Sequence, residues 1–121
     1  MIRSAFLALT LLAGLSCTQT VPQGPVAQAP VFTVQPKDEY ANVGSDAIFV
    51  VEVTPQHGVT FTWECRIRDT ETWEPVDGGD TATLTLKSVI TEQSLNTYRC
   101  VATNGFGSVT SETATLIVST P

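Results

Sequence analysis

The sequence predicts an all-β domain built from short strands, each with one buried and one exposed face. Apolar side chains recur at every second position in several runs after residue 30, which is the period of a strand and not of a helix. Turn sequences rich in glycine, asparagine and proline separate these runs. Short alternating strands within residues 31–119 predict a β-sandwich or a small barrel.

Each run has an apolar face that is predicted to point into the core. The residues on these faces are Ala47, Phe49, Val51 and Val53; Phe61, Trp63 and Cys65; Leu84 and Leu86; Tyr98, Cys100 and Ala102; and Ala114, Leu116 and Val118. The predicted turns lie at 42–45, 55–58, 77–80 and 104–107. Threonine is abundant between the apolar positions, as expected for strands with one face in water.

Residues 1–16 have the parts of an export signal. Arg3 supplies a positive charge, and the stretch Ala5–Leu15 is apolar apart from Thr10. A membrane-spanning helix needs about 20 apolar residues. The shorter run is therefore interpreted as a signal for export, with a retained anchor helix as the alternative.

Cys17 directly follows this run, and Leu15-Ser16-Cys17 resembles the site at which bacterial lipoproteins are cleaved and acylated. The resemblance implies a lipid on Cys17 and a chain anchored in the cell envelope, in the outer membrane if the cell is Gram-negative. It is incomplete, because Gly14 stands where that family usually has leucine. Gly14 and Ser16 also suit an ordinary signal peptidase, so secretion without an anchor is the alternative.

Residues 17–30 are predicted to link Cys17 to the domain at 31–119. The stretch from Thr18 to Pro30 has three prolines, three glutamines and no charged residue. Such a composition has little apolar surface to bury and favours an extended chain.

The composition argues against several classes of function. Affinity for nucleic acid requires clustered Lys and Arg, whereas this chain has six of them against 12 Asp and Glu. His57 is the only histidine, and a zinc site needs several ligands at suitable spacing. The acidic stretch 69–80 lacks the order of a calcium loop, and no nucleophile elbow is present. The sequence therefore predicts no enzyme activity, metal, cofactor or small-molecule substrate.

The domain resembles the immunoglobulin superfamily, most closely its I-set-like branch and the Ig-like modules of bacterial and phage surface proteins. The resemblance covers Pro30 to Ser119 and implies an immunoglobulin-like antiparallel β-sandwich with Greek-key topology. It rests on Trp63 twelve residues after Val51, on Thr83-Leu84-Thr85-Leu86, on Tyr98-Arg99-Cys100 and on Asn104-x-x-Gly107. Val51, Trp63, Leu84 and Tyr98 are the core landmarks that it implies.

The cysteines depart from the family pattern. The family's first cysteine falls at Val51, while Cys65 stands two residues after Trp63. Because the strands that carry Cys65 and Cys100 are neighbours in this family, the resemblance implies a disulfide between them. If Trp63 faces Cys100 directly, however, Cys65 is a diagonal neighbour at about 7–8 Å, beyond the usual Cα separation of a disulfide. Two buried free thiols are the alternative.

The resemblance implies a binding module with contacts in the loops at the ends of the sandwich. The loops 55–59 and 104–108 are the first candidates, and the candidate binding residues are Trp73, Phe106, His57 and Asn104. Trp73 could instead pack at the sandwich margin, and Phe106 could plug its loop. We expect a non-enzymatic envelope adhesion module for a protein or glycan partner, without nucleic acid. A receptor-masking lipoprotein of the prophage type and a purely structural envelope protein are the alternatives.

Overall fold

The computed structural model describes residues 28–120. The predicted signal at 1–16, Cys17 and most of the linker at 17–30 lie outside the described residues. No helix within 28–120 has the length and apolar character needed to cross a membrane. The strands are β1 (Val31–Val34), β2 (Glu39–Asn42), β3 (Ala47–Val50), β4 (Glu52–Thr54), β5 (Thr60–Arg66), β6 (Trp73–Pro75), β7 (Thr83–Leu86), β8 (Thr97–Asn104), β9 (Gly107–Thr110) and β10 (Ala114–Ser119), with a 3₁₀ turn at Thr91–Gln93.

The strands form two layers. The larger sheet has the order β2-β10-β8-β5-β6, and β9 pairs with the second half of β8. The other layer consists of the pairs β1–β4 and β3–β7. The chain crosses between the layers from β1 to β2, from β2 to β3, from β4 to β5, from β6 to β7 and from β7 to β8, which is a Greek-key arrangement. All pairs are antiparallel except β2–β10, which is parallel.

The strands β3 and β4 are two parts of one strand interrupted at Val51. The N–H of Val51 donates to the carbonyl of Ala82 over 3.0 Å, which continues the β3–β7 pairing. Phe49, Val51 and Val53 are all buried while the residues between them are exposed. The period-two pattern of the sequence therefore passes through the interruption, since alternate side chains keep facing the core.

The core lies between the layers around three aromatic side chains. Trp63 of β5 is 0% exposed. Its ring centroid lies 6.2 Å from that of Phe49 on β3, and Phe49 lies 5.0 Å from Tyr98 on β8. The Trp63 Nε1 donates to the carbonyl of Thr81 over 2.8 Å, so the only polar atom of the buried indole has a partner.

The segment 76–82 closes one side of the sandwich over Trp63. The N–H of Val76 donates to the Trp63 carbonyl over 2.9 Å, and the Trp63 N–H donates to the Gly79 carbonyl over 2.8 Å. A Cβ placed on Gly79 would lie 2.7 Å from the Cβ of Trp63. Only glycine permits this approach, because a methyl group would push the segment off the tryptophan.

We expect Gly79→Ala to destabilise the domain by about 1–3 kcal/mol, the usual cost of overpacking a close contact. Urea unfolding followed by fluorescence would measure the loss. Gly105→Ala is the matched control, because a Cβ there meets nothing within 4 Å. Equal stability of the two variants would contradict the close approach over Trp63.

Candidate binding surfaces

The register of β5 and β8 defines two opposite ends of the sandwich. Thr60 pairs with Thr103 at one end, and Arg66 pairs with Thr97 at the other. We call the first the tether end; it includes 28–30, 55–59 and 104–107. We call the second the distal end; it includes 43–46, 67–72 and 87–96. Because β5 has seven residues, the two ends lie about 20 Å apart at the usual rise of a strand.

The tether end is where the predicted linker joins the domain. The Asn104 side chain donates from Nδ2 to the Gln28 carbonyl over 2.7 Å, and its Oδ1 accepts the Phe106 N–H over 2.8 Å. A Cβ placed on Gly107 would lie 3.1 Å from the Cβ of Ala29. Asn104 therefore uses both ends of its amide within the chain, and it holds the linker against the β8–β9 turn.

The two loops predicted to bind a partner both lie at this tether end. His57 is exposed in the loop 55–59. Phe106 is 64% exposed at the tip of the β8–β9 turn, so it does not plug the turn. The loop side chains are thus accessible, but they share their end of the molecule with the linker.

Trp73 lies across the outer face of the larger sheet. Its ring centroid is 4.1 Å from the guanidinium carbon of Arg99 and 5.4 Å from that of Arg66. The Arg99 Nε donates to the Glu64 carboxylate over 2.7 Å. Guanidinium groups over an indole contribute about 0.5–1 kcal/mol at exposed sites. Trp73 is therefore held at the sandwich margin, with its ring partly covered by arginine.

The structure corrects the predicted disulfide, since it leaves both Cys65 and Cys100 as free cysteines. The reason is the register: Trp63 pairs with Cys100, and Cys65 pairs with Tyr98. Cys65 and Cys100 are consequently diagonal neighbours, whose Cα atoms are about 7–8 Å apart in a regular antiparallel pair. No bulge interrupts β5 and β8 to bring them closer.

The side chain of Cys65 lies next to that of Tyr98 where β5 meets the start of β8, because the two residues pair in the register. The Asn96 Oδ1 accepts the N–H of Arg68 over 2.9 Å. Burial raises the pKa of Cys65 and of Tyr98, and it raises the pKa of Cys100 to about 12. Both thiols are protonated at neutral pH and are therefore weak nucleophiles.

Two cavities open at or near the distal end. The first, of about 380 Å³, lies between the layers, and Cys65, Ile67, Leu86 and Tyr98 are among the residues that line it. The second, which we call the distal cavity, has a volume of about 210 Å³ and includes Arg66, Ile67, Leu95 and Thr97 in its wall. Ile67 separates the two cavities, because it lines both.

The sequence reasoning did not single out the residues of the distal cavity. Ile67 and Leu95 belong to connecting segments, where an exposed aliphatic residue looks the same in sequence as a buried one. Leu95 has a left-handed backbone conformation with φ 71°. A sequence predicts such a conformation reliably only at glycine, so a leucine gives no sign of it. Among residues 28–120, no three potential metal-ligating Asp, Glu, His or Cys side chains come together.

The sequence of residues 29–104 matches the immunoglobulin domain family. The chain belongs to this family. Among solved structures, it superposes on Sidekick-1 immunoglobulin domains 1–5 with a TM-score of 0.61 and 22% identity, over 78% of this chain and 20% of that one. It also superposes on titin domain M4 with a TM-score of 0.57 and 25% identity, over 78% and 99% of the two chains. The predicted immunoglobulin-like β-sandwich is thereby confirmed.

One similar protein of known activity is an enzyme. The chain is 36% identical over 94 residues to Endoglucanase C of Cellulomonas fimi. The match covers 78% of this chain but only 8% of the endoglucanase. The similarity therefore concerns a small immunoglobulin-like segment of that enzyme, and the fold that is shared is typically non-catalytic.

We expect two thiols, Cys65 and Cys100, to be alkylated when the purified protein is unfolded without reductant. In the folded protein Cys65 should react slowly, since it is half-buried, and Cys100 should not react, since it is fully buried. Iodoacetamide labelling followed by peptide mass spectrometry measures both. A Cys65–Cys100 peptide pair, linked and unlabelled in denaturant, would contradict the free thiols.

We expect the free energy of unfolding to fall as the pH rises from 9 towards 12. The ordinary thiol pKa is 9.0, and burial raises the pKa of Cys100 to about 12. The unfolded chain therefore loses this proton at a lower pH than the folded chain does, and alkali favours unfolding over that window. Urea unfolding at successive pH values measures the slope, which should be shallower in Cys100→Ala. An unchanged slope in that variant would rule out Cys100 as its source.

Proposed function

We propose that this chain is an exported, non-enzymatic binding module that presents one immunoglobulin-like domain on a lipid anchor at Cys17. The observation that carries the proposal is the junction of Asn104 with Gln28, over 2.7 Å, at one end of the sandwich. The linker is fixed there, so the opposite end and both outer sheet faces are free to meet a protein or glycan partner. The lipid rests on the resemblance at Leu15-Ser16-Cys17, and the export signal rests on Arg3 and the apolar run Ala5–Leu15.

The comparisons support a binding module of the kind that accompanies other domains. The match to Endoglucanase C covers a small fraction of that enzyme, which is consistent with a domain that accompanies a catalytic unit and does not replace it. The match to Sidekick-1 covers 20% of a chain of several immunoglobulin domains. The fold alone does not determine which partner is bound. The anchor and the binding of a partner therefore need separate experiments.

The anchor predicts a specific cell fractionation result. We expect the mature protein to begin at Cys17, to carry lipid there by intact mass, and to sediment with membranes. Cys17→Ser should be found in the soluble fraction or remain uncleaved, because acyl chains provide the membrane affinity. Cys65→Ser is the matched control and should sediment as the wild type does. A full uncut chain with three unmodified cysteines would contradict both export and anchor.

The direction in which the domain faces is tested with protease added to intact cells. We expect cleavage of the domain, since an adhesion module faces outward. Protection in intact cells with cleavage after lysis would instead support a masking lipoprotein that acts within the envelope. Detergent-lysed cells provide the control for intrinsic protease sensitivity.

A further inference from the structure

We propose that β7 pairs with β7 of a second copy of this chain, antiparallel and about a two-fold axis at Thr85. The pairing joins the layers that contain β3 and β7 edge to edge in a dimer. This inference goes beyond the proposed binding module, because its partner is the chain itself and the pairing does not depend on the lipid anchor.

The strand β7 has a free edge. Among the described residues it pairs with β3 alone. The Val51 N–H donates to the Ala82 carbonyl, and hydrogen-bonded pairs alternate along an antiparallel ladder. In this register the backbone groups of Leu84 face β3. Those of Thr83 and Thr85 therefore point away from β3, towards the free edge.

Thr85 is the centre of the open part of this edge. The Thr81 hydroxyl accepts the Thr83 N–H over 3.3 Å and donates to the Thr83 carbonyl over 2.9 Å, so it covers the backbone of Thr83. No hydrogen bond of this kind covers the backbone of Thr85 among the described residues. Open N–H and C=O groups on an edge are a template for another strand, and two opposed Thr85 residues would exchange two hydrogen bonds.

The outer strands β1, β2 and β6 have features that hinder such pairing, whereas β7 does not. The register of β1 shifts between Phe32 and Val34. The strand β6 has three residues and ends at Pro75, and β2 begins at the charged Glu39. Bulges, prolines, charges and short length all protect edge strands. The strand β7 keeps a regular register with β3 and has the uncharged sequence Thr-Leu-Thr-Leu.

The charges at the two ends of β7 make the strand complementary to itself. Asp80 precedes β7 and Lys87 follows it, with no charged residue between them. The Lys87 side chain is 78% exposed, and its Nζ is 3.9 Å from the nearest carboxylate oxygen of its own chain. Antiparallel pairing at Thr85 brings Lys87 of each copy opposite Thr83 of the other, three residues from Asp80. Parallel pairing would place Lys87 beside Lys87, and like charges are unfavourable.

The same pairing covers an apolar side chain. Leu86 is half-buried and lines the cavity of about 380 Å³ between the layers. With the two Thr85 residues opposed, Leu86 of one copy lies opposite Leu84 of the other on the inner face of the joined sheet. Side chains in such positions contact each other. Burial of Leu86 therefore adds to the hydrogen bonds of the edge.

The proposed dimer is closed. Each copy has one β7, and a two-fold axis uses the edges of both copies, so the pairing does not propagate into fibres. The axis is normal to the joined sheet, and the two tether ends point in opposite directions within its plane. Residues 18–27 span at most about 35 Å when extended, so two anchored copies can reach one membrane that lies parallel to the sheet.

Disulfide trapping of the purified full chain with a mild oxidant tests the proposal. The chain carries Thr85→Cys, or Thr83→Cys as the matched control, since both threonines are exposed on β7. Opposed Thr85 residues would have Cα atoms about 5.5 Å apart, which a disulfide can bridge. Two Thr83 residues would lie about 13 Å apart along the strands. We expect a covalent dimer, reversed by reductant, from Thr85→Cys and its loss in Thr83→Cys and in the wild-type chain.

An exchange of charges separates pairing from folding. In the Thr85→Cys chain, Lys87→Asp should lower the yield of dimer about fivefold, because two exposed attractive pairs become repulsive. Adding Asp80→Lys should restore the yield, since the opposed charges again differ in sign. Both positions are exposed, so the midpoint of urea unfolding should change little in either variant.

Equal yields of dimer from Thr85→Cys and Thr83→Cys would overturn the proposal, as would no dimer from Thr85→Cys. A yield that falls in Lys87→Asp but is not restored by Asp80→Lys would also contradict the antiparallel pairing. The result is separate from that of the anchor experiment. A chain that lacks lipid by intact mass would contradict the anchor, yet its disulfide trapping would still report on β7.

Discussion

The structure depends on the burial of Trp63 between the two layers. The indole contacts Phe49 of the opposite layer, its nitrogen is satisfied by Thr81, and its backbone binds the segment that carries Gly79. One residue therefore connects both sheets and the side closure of the sandwich. Val76 of that segment also lines the cavity of about 380 Å³ between the layers.

The core has no covalent link between its layers. Val51 occupies the position of the family's first cysteine, and it packs with Cys100 and Trp63 in one apolar cluster. The second cysteine, Cys65, pairs with Tyr98 in the register and so lies diagonal to Cys100. Within residues 28–120 both cysteines are free, so stability there comes from apolar burial and register without a disulfide to restrict the unfolded state.

The arrangement of the two ends connects the fold with the proposed function. Asn104 fixes the linker to the β8–β9 turn through Gln28, so the end loops that often bind partners in this family lie on the side of the linker. The aliphatic side chains Ile67 and Leu95 lie at the other end.

The sequence by itself determined the layers and the core, because the alternation of Phe49 and Val51, or of Tyr98 and Cys100, directly reports which face of a strand is buried. Only the tertiary structure decided what depends on register and on contacts between distant residues. The cysteine pairing needed the opposition of Trp63 and Cys100. The distal cavity needed Ile67 and Leu95, which are 28 residues apart in sequence, to line the same depression. No local pattern encodes such a meeting, since each residue alone is only an exposed aliphatic side chain in a turn.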